Sequence, residues 1–147
     1  MGSMSVTRRY RFCAAHRLHA DCLSAEENRA AFGKCNNPNG HGHNYVVFVT
    51  VAAGPESMYS SDVTKLDEVV RDTIVNRFDH RDLNQDPLFK DHTTTGENLV
   101  VLIWELLENR LPTGQLTKVG VIETRDNYFE YSRPTGRQAR MNEVERG

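Results

Sequence analysis

The chain has 147 residues, of which 38% are hydrophobic and 26% charged, with 10 glycines and 5 prolines; this balance suits one globular domain and excludes collagenous, coiled-coil and disordered classes. Its 18 basic and 20 acidic residues leave a formal charge of −2, so no global basic field exists to hold nucleic acid or an anionic membrane. The three cysteines, Cys13, Cys22 and Cys35, are an odd number. With no apolar run near the ~18 residues of a membrane span and no apolar export signal, they read as thiols in a cytoplasmic protein.

Met1 to Ser3 ahead of Met4 reads as an added leader, leaving residues 4–132 as one domain. Residues 133–147, with four arginines and little apolar content, read as a flexible tail. Val6, Tyr10, Phe12, Cys13 and Ala14 suggest a first strand over 6–14, with Cys13 as a small hydrophobe on its apolar face. Ser24 and Glu27 form a capping box that opens a short helical turn reaching about Phe32, which Gly33 can end. Residues 34–42 are a loop rich in Asn and Gly, and 43–51 are almost all β-branched or aromatic, a second strand.

Val63, Leu66, Val70, Ile74 and Phe78 recur at three- and four-residue steps, predicting an amphipathic helix. Thr94 and Glu97 suggest a second capping box, followed by the apolar stripe Leu99, Leu102, Ile103, Leu106 and Leu107, which stops at Pro112 and Gly114. Residues 116–124 and 128–131 read as a hairpin around Arg125, Asp126 and Asn127. The pattern predicts an α+β fold: a four-stranded antiparallel sheet with two helices on one face. Two sheet edges would stay uncovered, which invites pairing with other subunits.

The chemistry concentrates in the run Cys35-Asn36-Asn37-Pro38-Asn39-Gly40-His41-Gly42-His43. In extended backbone, residues two apart share a face, so His41 and His43 can offer two imidazoles to one ion. A catalytic zinc has three protein ligands and an open position, so a third donor must come from elsewhere. His16, at the end of the first strand, is the best candidate, with His19 as competitor; the alternative is a turn-to-strand junction with two solvated imidazoles. Cys35, in a polar loop, is either a fourth ligand or a reactive thiolate activated by the metal, Lys34 or a histidine. Asp79-His80 follows the first long helix, as an oriented imidazole or a helix-end turn. Glu123 shares the phase of Val119 and Val121, so it faces inward and needs a partner: a ligand with adjacent N–H donors, or a nearby arginine.

Ala15-His16-Arg17-Leu18, the block from Phe32 to Tyr45, Phe78-Asp79-His80, Gly96-Glu97-Asn98, Ile103-Trp104 and Glu123-Thr124 together resemble the 6-pyruvoyl-tetrahydropterin synthase family of tunnelling-fold pterin enzymes. The resemblance runs from about Arg9 to Tyr131, which makes 4–132 a pterin synthase domain. It implies zinc held by His16, His41 and His43, with Cys35 as catalytic thiolate and Asp79 and His80 as a relay from a neighbouring subunit. Glu123 would anchor the pterin, and Thr95 and Glu97 would line its pocket. The implied substrate is 7,8-dihydroneopterin triphosphate, losing triphosphate with internal redox rearrangement. Arg9, Arg11, Arg17 and Lys34 lie near the motifs as candidates to meet that anion. Sheets would join into a barrel in a trimer, and two trimers would stack as a homohexamer.

The related 6-carboxytetrahydropterin synthases of queuosine biosynthesis typically have three residues between this cysteine and the first histidine of the pair. Here there are five, residues 36–40, which favours the pyruvoyl reaction, because an error of ~1 Å at a reacting atom can cost about 10²-fold in rate. A non-catalytic zinc or pterin-binding module, with Cys35 closing the metal shell, is a third reading. Gly96 departs from the animal members of the family, which carry a second threonine there.

Overall fold

The computed structural model describes residues 2–18, 22–32, 41–53 and 61–134. His19, Lys34, Cys35 and residues 135–147 lie outside the described residues, as does the side chain of His41. Strand β1 (Met4–His16) pairs antiparallel with β2 (His41–Ala53), in register from Met4 opposite Ala53 to His16 opposite His41. Both strands run beyond the spans expected from residue type, because each supplies the other's backbone partners. Alternation along β1 turns Tyr10, Phe12, Ala14 and His16 into the core and Arg9, Arg11 and Cys13 outward. Cys13 is therefore exposed rather than a packed hydrophobe, and its thiol donates to Asn44 Oδ1 at 2.8 Å.

Between these strands, helix α1 (Ala25–Phe32) begins as its capping box requires. Ser24 Oγ accepts from the Glu27 N–H at 3.1 Å, and Glu27 Oε1 accepts from the Ser24 N–H at 3.3 Å. After β2, helix α2 (Ser61–Val70) continues through a π-helical turn (Arg71–Val75) into the short α3 (Asn76–Phe78). Leu66, Val70, Ile74 and Phe78 are four apart, a period longer than the 3.6 residues of an α-helical turn. The wider π turn absorbs that mismatch, and all four side chains are buried.

Helix α4 (Gly96–Glu108), strand β4 (Leu116–Thr124) and strand β5 (Asn127–Tyr131) complete the fold. Val47, Val49, Val119 and Val121 from the sheet, with Leu99, Ile103 and Leu107 from α4, are all 0% exposed. Each such side chain contributes about 1.5–3 kcal/mol relative to an exposed one. Two clamps tie the long helical segment and its following turn down. Asp67 accepts from Arg8 at 3.2 and 2.8 Å and from the Tyr10 hydroxyl at 2.6 Å, while Asp86 accepts from Arg77 at 2.9 and 2.7 Å. At the far end of the described chain, Arg133 reaches Glu105 and Glu108 of α4 at 3.3 and 3.0 Å.

The sheet corrects the four-stranded antiparallel expectation. Among the described residues it has five strands, because β3 (Arg81–Asp82) adds in parallel to β1 opposite Ala14 and Ala15, giving the order β3-β1-β2-β4-β5. Among the described residues, three α-helical regions, counting α1, rather than two accompany it, with 3₁₀ turns at Leu83–Gln85 and Pro87–Phe89. A two-residue strand has no periodicity to read; it forms because His80 takes a left-handed φ of 57° and donates its N–H to the Cys13 carbonyl at 2.6 Å.

Candidate active site

His16 ends β1 and is 1% exposed. Its Nδ1 lies 2.8 Å from the carbonyl oxygen of Thr94. A carbonyl only accepts, so Nδ1 carries the proton, and in the neutral ring Nε2 keeps its lone pair. His43 sits opposite Ala14, two residues along β1 from His16, and the two rings meet edge to face with centroids 4.8 Å apart.

Glu123 completes the group. Its Oε1 is 3.2 Å from His16 Nε2 and 3.3 Å from His43 Nε2, and the three donor atoms lie within 4.8 Å of one another. Ligands held about 2.0–2.1 Å from a tetrahedral ion stand about 3.3–3.4 Å apart along an edge. The two imidazole–carboxylate separations are of that size, so the three side chains form a group that could hold a metal ion, with two nitrogens and one oxygen as donors. Residue type and strand phase could find Glu123 as an inward carboxylate, but not its closeness to His16, because β4 and β1 are not neighbours in the sheet. The backbone of His41 pairs with that of His16.

Thr95, not Thr94, caps α4: its Oγ1 accepts from the Asn98 N–H at 3.3 Å. The cap expected at Thr94 thus shifts by one residue and the expected box with Glu97 is not seen, because Thr94 is already buried, its carbonyl facing His16 and its hydroxyl donating to the Arg17 carbonyl at 3.2 Å, while the Asn98 side chain donates to Thr93. Glu97 is exposed in the first helical turn. Gly96 between them is buried, and a Cβ there would come within 3.2 Å of Glu123 Oε2. The carboxylate thereby sits at the N-terminus of a 13-residue helix, where the peptide dipoles favour negative charge.

Asp79 and His80, in the turn between α3 and β3, stand against β1 at Cys13, away from this group. Asp79 Oδ1 accepts the Cys13 N–H at 2.9 Å, and His80 Nε2 is 3.6 Å from Asp79 Oδ2, too long for a hydrogen bond. The His80 ring is 82% exposed. Cys13, His80 and Asp82 line an open cleft of about 510 Å³ that also reaches Asn44 and His43. The structure thus brings His16, His43 and Glu123 together, places Thr95 and Glu97 on either side of the glycine beside them, and sets Asp79 and His80 next to Cys13. The expected thiolate Cys35 lies outside the described residues.

The family model for 6-pyruvoyl tetrahydropterin synthase matches residues 5–134. The chain belongs to this family. Among curated relatives, human 6-pyruvoyl tetrahydrobiopterin synthase is 46% identical over 129 residues, covering 86% of this chain and 89% of the human one. The Pongo abelii protein of the same name is 44% identical over 129 residues, covering 86% of this chain and 89% of its own. The solved structure of Caenorhabditis elegans 6-pyruvoyl tetrahydropterin synthase superposes with a TM-score of 0.83 at 39% identity, covering 90% of this chain and 97% of that one. Among the described residues, no helix is long and apolar enough to cross a membrane.

Proposed function

We propose that this chain is a zinc-dependent 6-pyruvoyl tetrahydropterin synthase, a lyase that eliminates triphosphate from 7,8-dihydroneopterin triphosphate. The observation that carries the reading is the convergence of His16, His43 and Glu123 in a chain of this family. His16 and His43 hold the zinc, with His41 as third ligand, supported by its register opposite His16. Bound there, zinc supplies a Lewis acid for the hydroxyls of the substrate side chain, making the neighbouring C–H bond more acidic.

This chain's residues do the rest. Glu123 accepts the N–H donors of the pterin's amino-pyrimidine edge, and Thr95 and Glu97 border the same pocket. Cys35, as thiolate, takes the carbon-bound proton, and Asp79 with His80 relays protons from a neighbouring subunit. That assignment across subunits is supported by the seat of Asp79 and His80 beside outward-facing Cys13, whereas His16 faces the core. It brings with it a trimer whose sheets join edge to edge into a barrel, two trimers stacking as a homohexamer, and a cytoplasmic setting.

A second arrangement, with Glu123 as the third metal ligand, is favoured by the 3.2 and 3.3 Å separations. Of the two related reactions, the five-residue spacing between Cys35 and His41 supports the pyruvoyl product. Incubation of zinc-loaded protein with 7,8-dihydroneopterin triphosphate, followed by mass spectrometry, tests the proposal. It predicts a 6-pyruvoyl tetrahydropterin and free triphosphate; a carboxypterin with acetaldehyde, or no turnover, overturns it.

A further inference from the structure

Glu123 has two oxygens with different neighbours. Oε1 faces the imidazoles of His16 and His43, and Oε2 faces Gly96. The space a side chain at Gly96 would fill is taken by the ring of Phe129: a Cβ there would overlap ring carbons Cδ2 and Cε2 while standing 3.2 Å from Glu123 Oε2. Phe129 reaches this point because it pairs with Val121 across the β4–β5 ladder and shares its inward phase, which leaves its ring partly buried against the core. Small residue and large ring are thus complementary in volume across α4 and β5, at the carboxylate that joins both histidines.

We propose that Phe129 is a positioning residue of the pterin pocket: seated on Gly96, its ring sets how the start of α4 lies against Glu123 Oε2 and closes the wall on that side. This rests on reading Glu123 as the pterin anchor. The two positions act as a pair, so enlarging one requires shrinking the other, a coupling that single substitutions cannot reveal and a double-mutant cycle can.

The experiment uses zinc-loaded full-length protein and the variants Gly96→Thr, Phe129→Ala and the double substitution. Neopterin affinity is read by fluorescence quenching, and KM and kcat are read separately. Gly96→Thr is expected to drive the start of α4 away from the Phe129 ring, displace Glu123 and weaken neopterin binding by about tenfold or more, the scale of one lost hydrogen bond to a charged group. Phe129→Ala raises KM more than it lowers kcat, and Phe129→Leu recovers part of the affinity. The double variant returns to within about threefold of the unsubstituted protein, as compensated pairs do. Should Gly96→Thr fail to fold, a folded, neopterin-binding double variant upholds the pairing. A Gly96→Thr protein that binds neopterin normally, or a double variant no better than Gly96→Thr, overturns it. Neopterin binding without turnover of the triphosphate overturns the reaction assignment alone, whereas an unsubstituted protein that does not bind neopterin overturns both.

Discussion

The Nδ1–H of His16 is donated to the carbonyl of Thr94 across 2.8 Å, tying the end of β1 to the segment that enters α4. This bond orients the ring so that Nε2 faces Glu123 Oε1. Contacts of this kind, made behind a metal ligand, are typically worth about 10–100-fold in metal affinity, and the ligand itself more. His16→Ala is therefore expected to weaken zinc binding by over about 100-fold. It also leaves the Thr94 carbonyl without its partner, costing about 1–3 kcal/mol of stability. Chelator competition and thermal unfolding check the two effects separately; unchanged zinc affinity contradicts the assignment.

Glu123→Gln removes the charge and keeps the shape. With Glu123 as pterin anchor, the variant retains its zinc and loses about 10–100-fold in neopterin affinity, since hydrogen bonds to a charged group are worth about 1.5–3 kcal/mol. With Glu123 as a metal ligand, zinc is lost first. Metal content and neopterin affinity measured on one preparation separate the two arrangements.

Cys35→Ala divides the enzyme from a closed metal module. A thiolate acting as proton acceptor accounts for about 10²–10⁴-fold in rate, so turnover falls by that amount while zinc stays bound. Zinc lost together with Cys35 would instead make the thiol a fourth ligand.

The clamps give an acid limit to the fold. The Arg8 guanidinium, helped by the Tyr10 hydroxyl, holds the Asp67 carboxyl below the usual carboxylate range against the opposing effect of burial. Burial alone would raise Asp86, but Arg77 and the Leu88 N–H outweigh it and bring it down. A carboxyl lower in the folded than in the unfolded chain stabilises above its unfolded pKa, near 3.9, and that gain disappears as pH falls through the folded value. Asp86→Asn is therefore expected to lower Tm at neutral pH and to flatten its decline between about pH 5 and pH 3. Melting curves across that range decide it; an unchanged slope contradicts the role of Asp86.

Much of the architecture was legible because local chemistry and tertiary demand agree. The β-branched run after His43 has no better use than a buried strand, and the stripe from Leu66 to Phe78 is buried as its spacing required. His16 and His43 could be placed together once β1 and β2 were read as a pair, and Glu123 was recognisable as an inward carboxylate from the phase of Val119 and Val121. Other features depend on partners far away in the chain. Strand β3 follows from a left-handed His80 and two backbone contacts with β1, and the cap of α4 moves to Thr95 because Thr94 is engaged by His16 and Arg17. The exchange of volume between Gly96 and Phe129 leaves no mark in either local sequence.

The central claim is that His16 and His43, with His41, hold one zinc ion beside the pterin anchor. A zinc-edge anomalous difference map from crystals of the full-length protein with neopterin bound tests it most directly. The account predicts one strong peak joined to the imidazoles of His16, His41 and His43, with the pterin on Glu123. A peak elsewhere, or these imidazoles in place with no zinc between them, contradicts it.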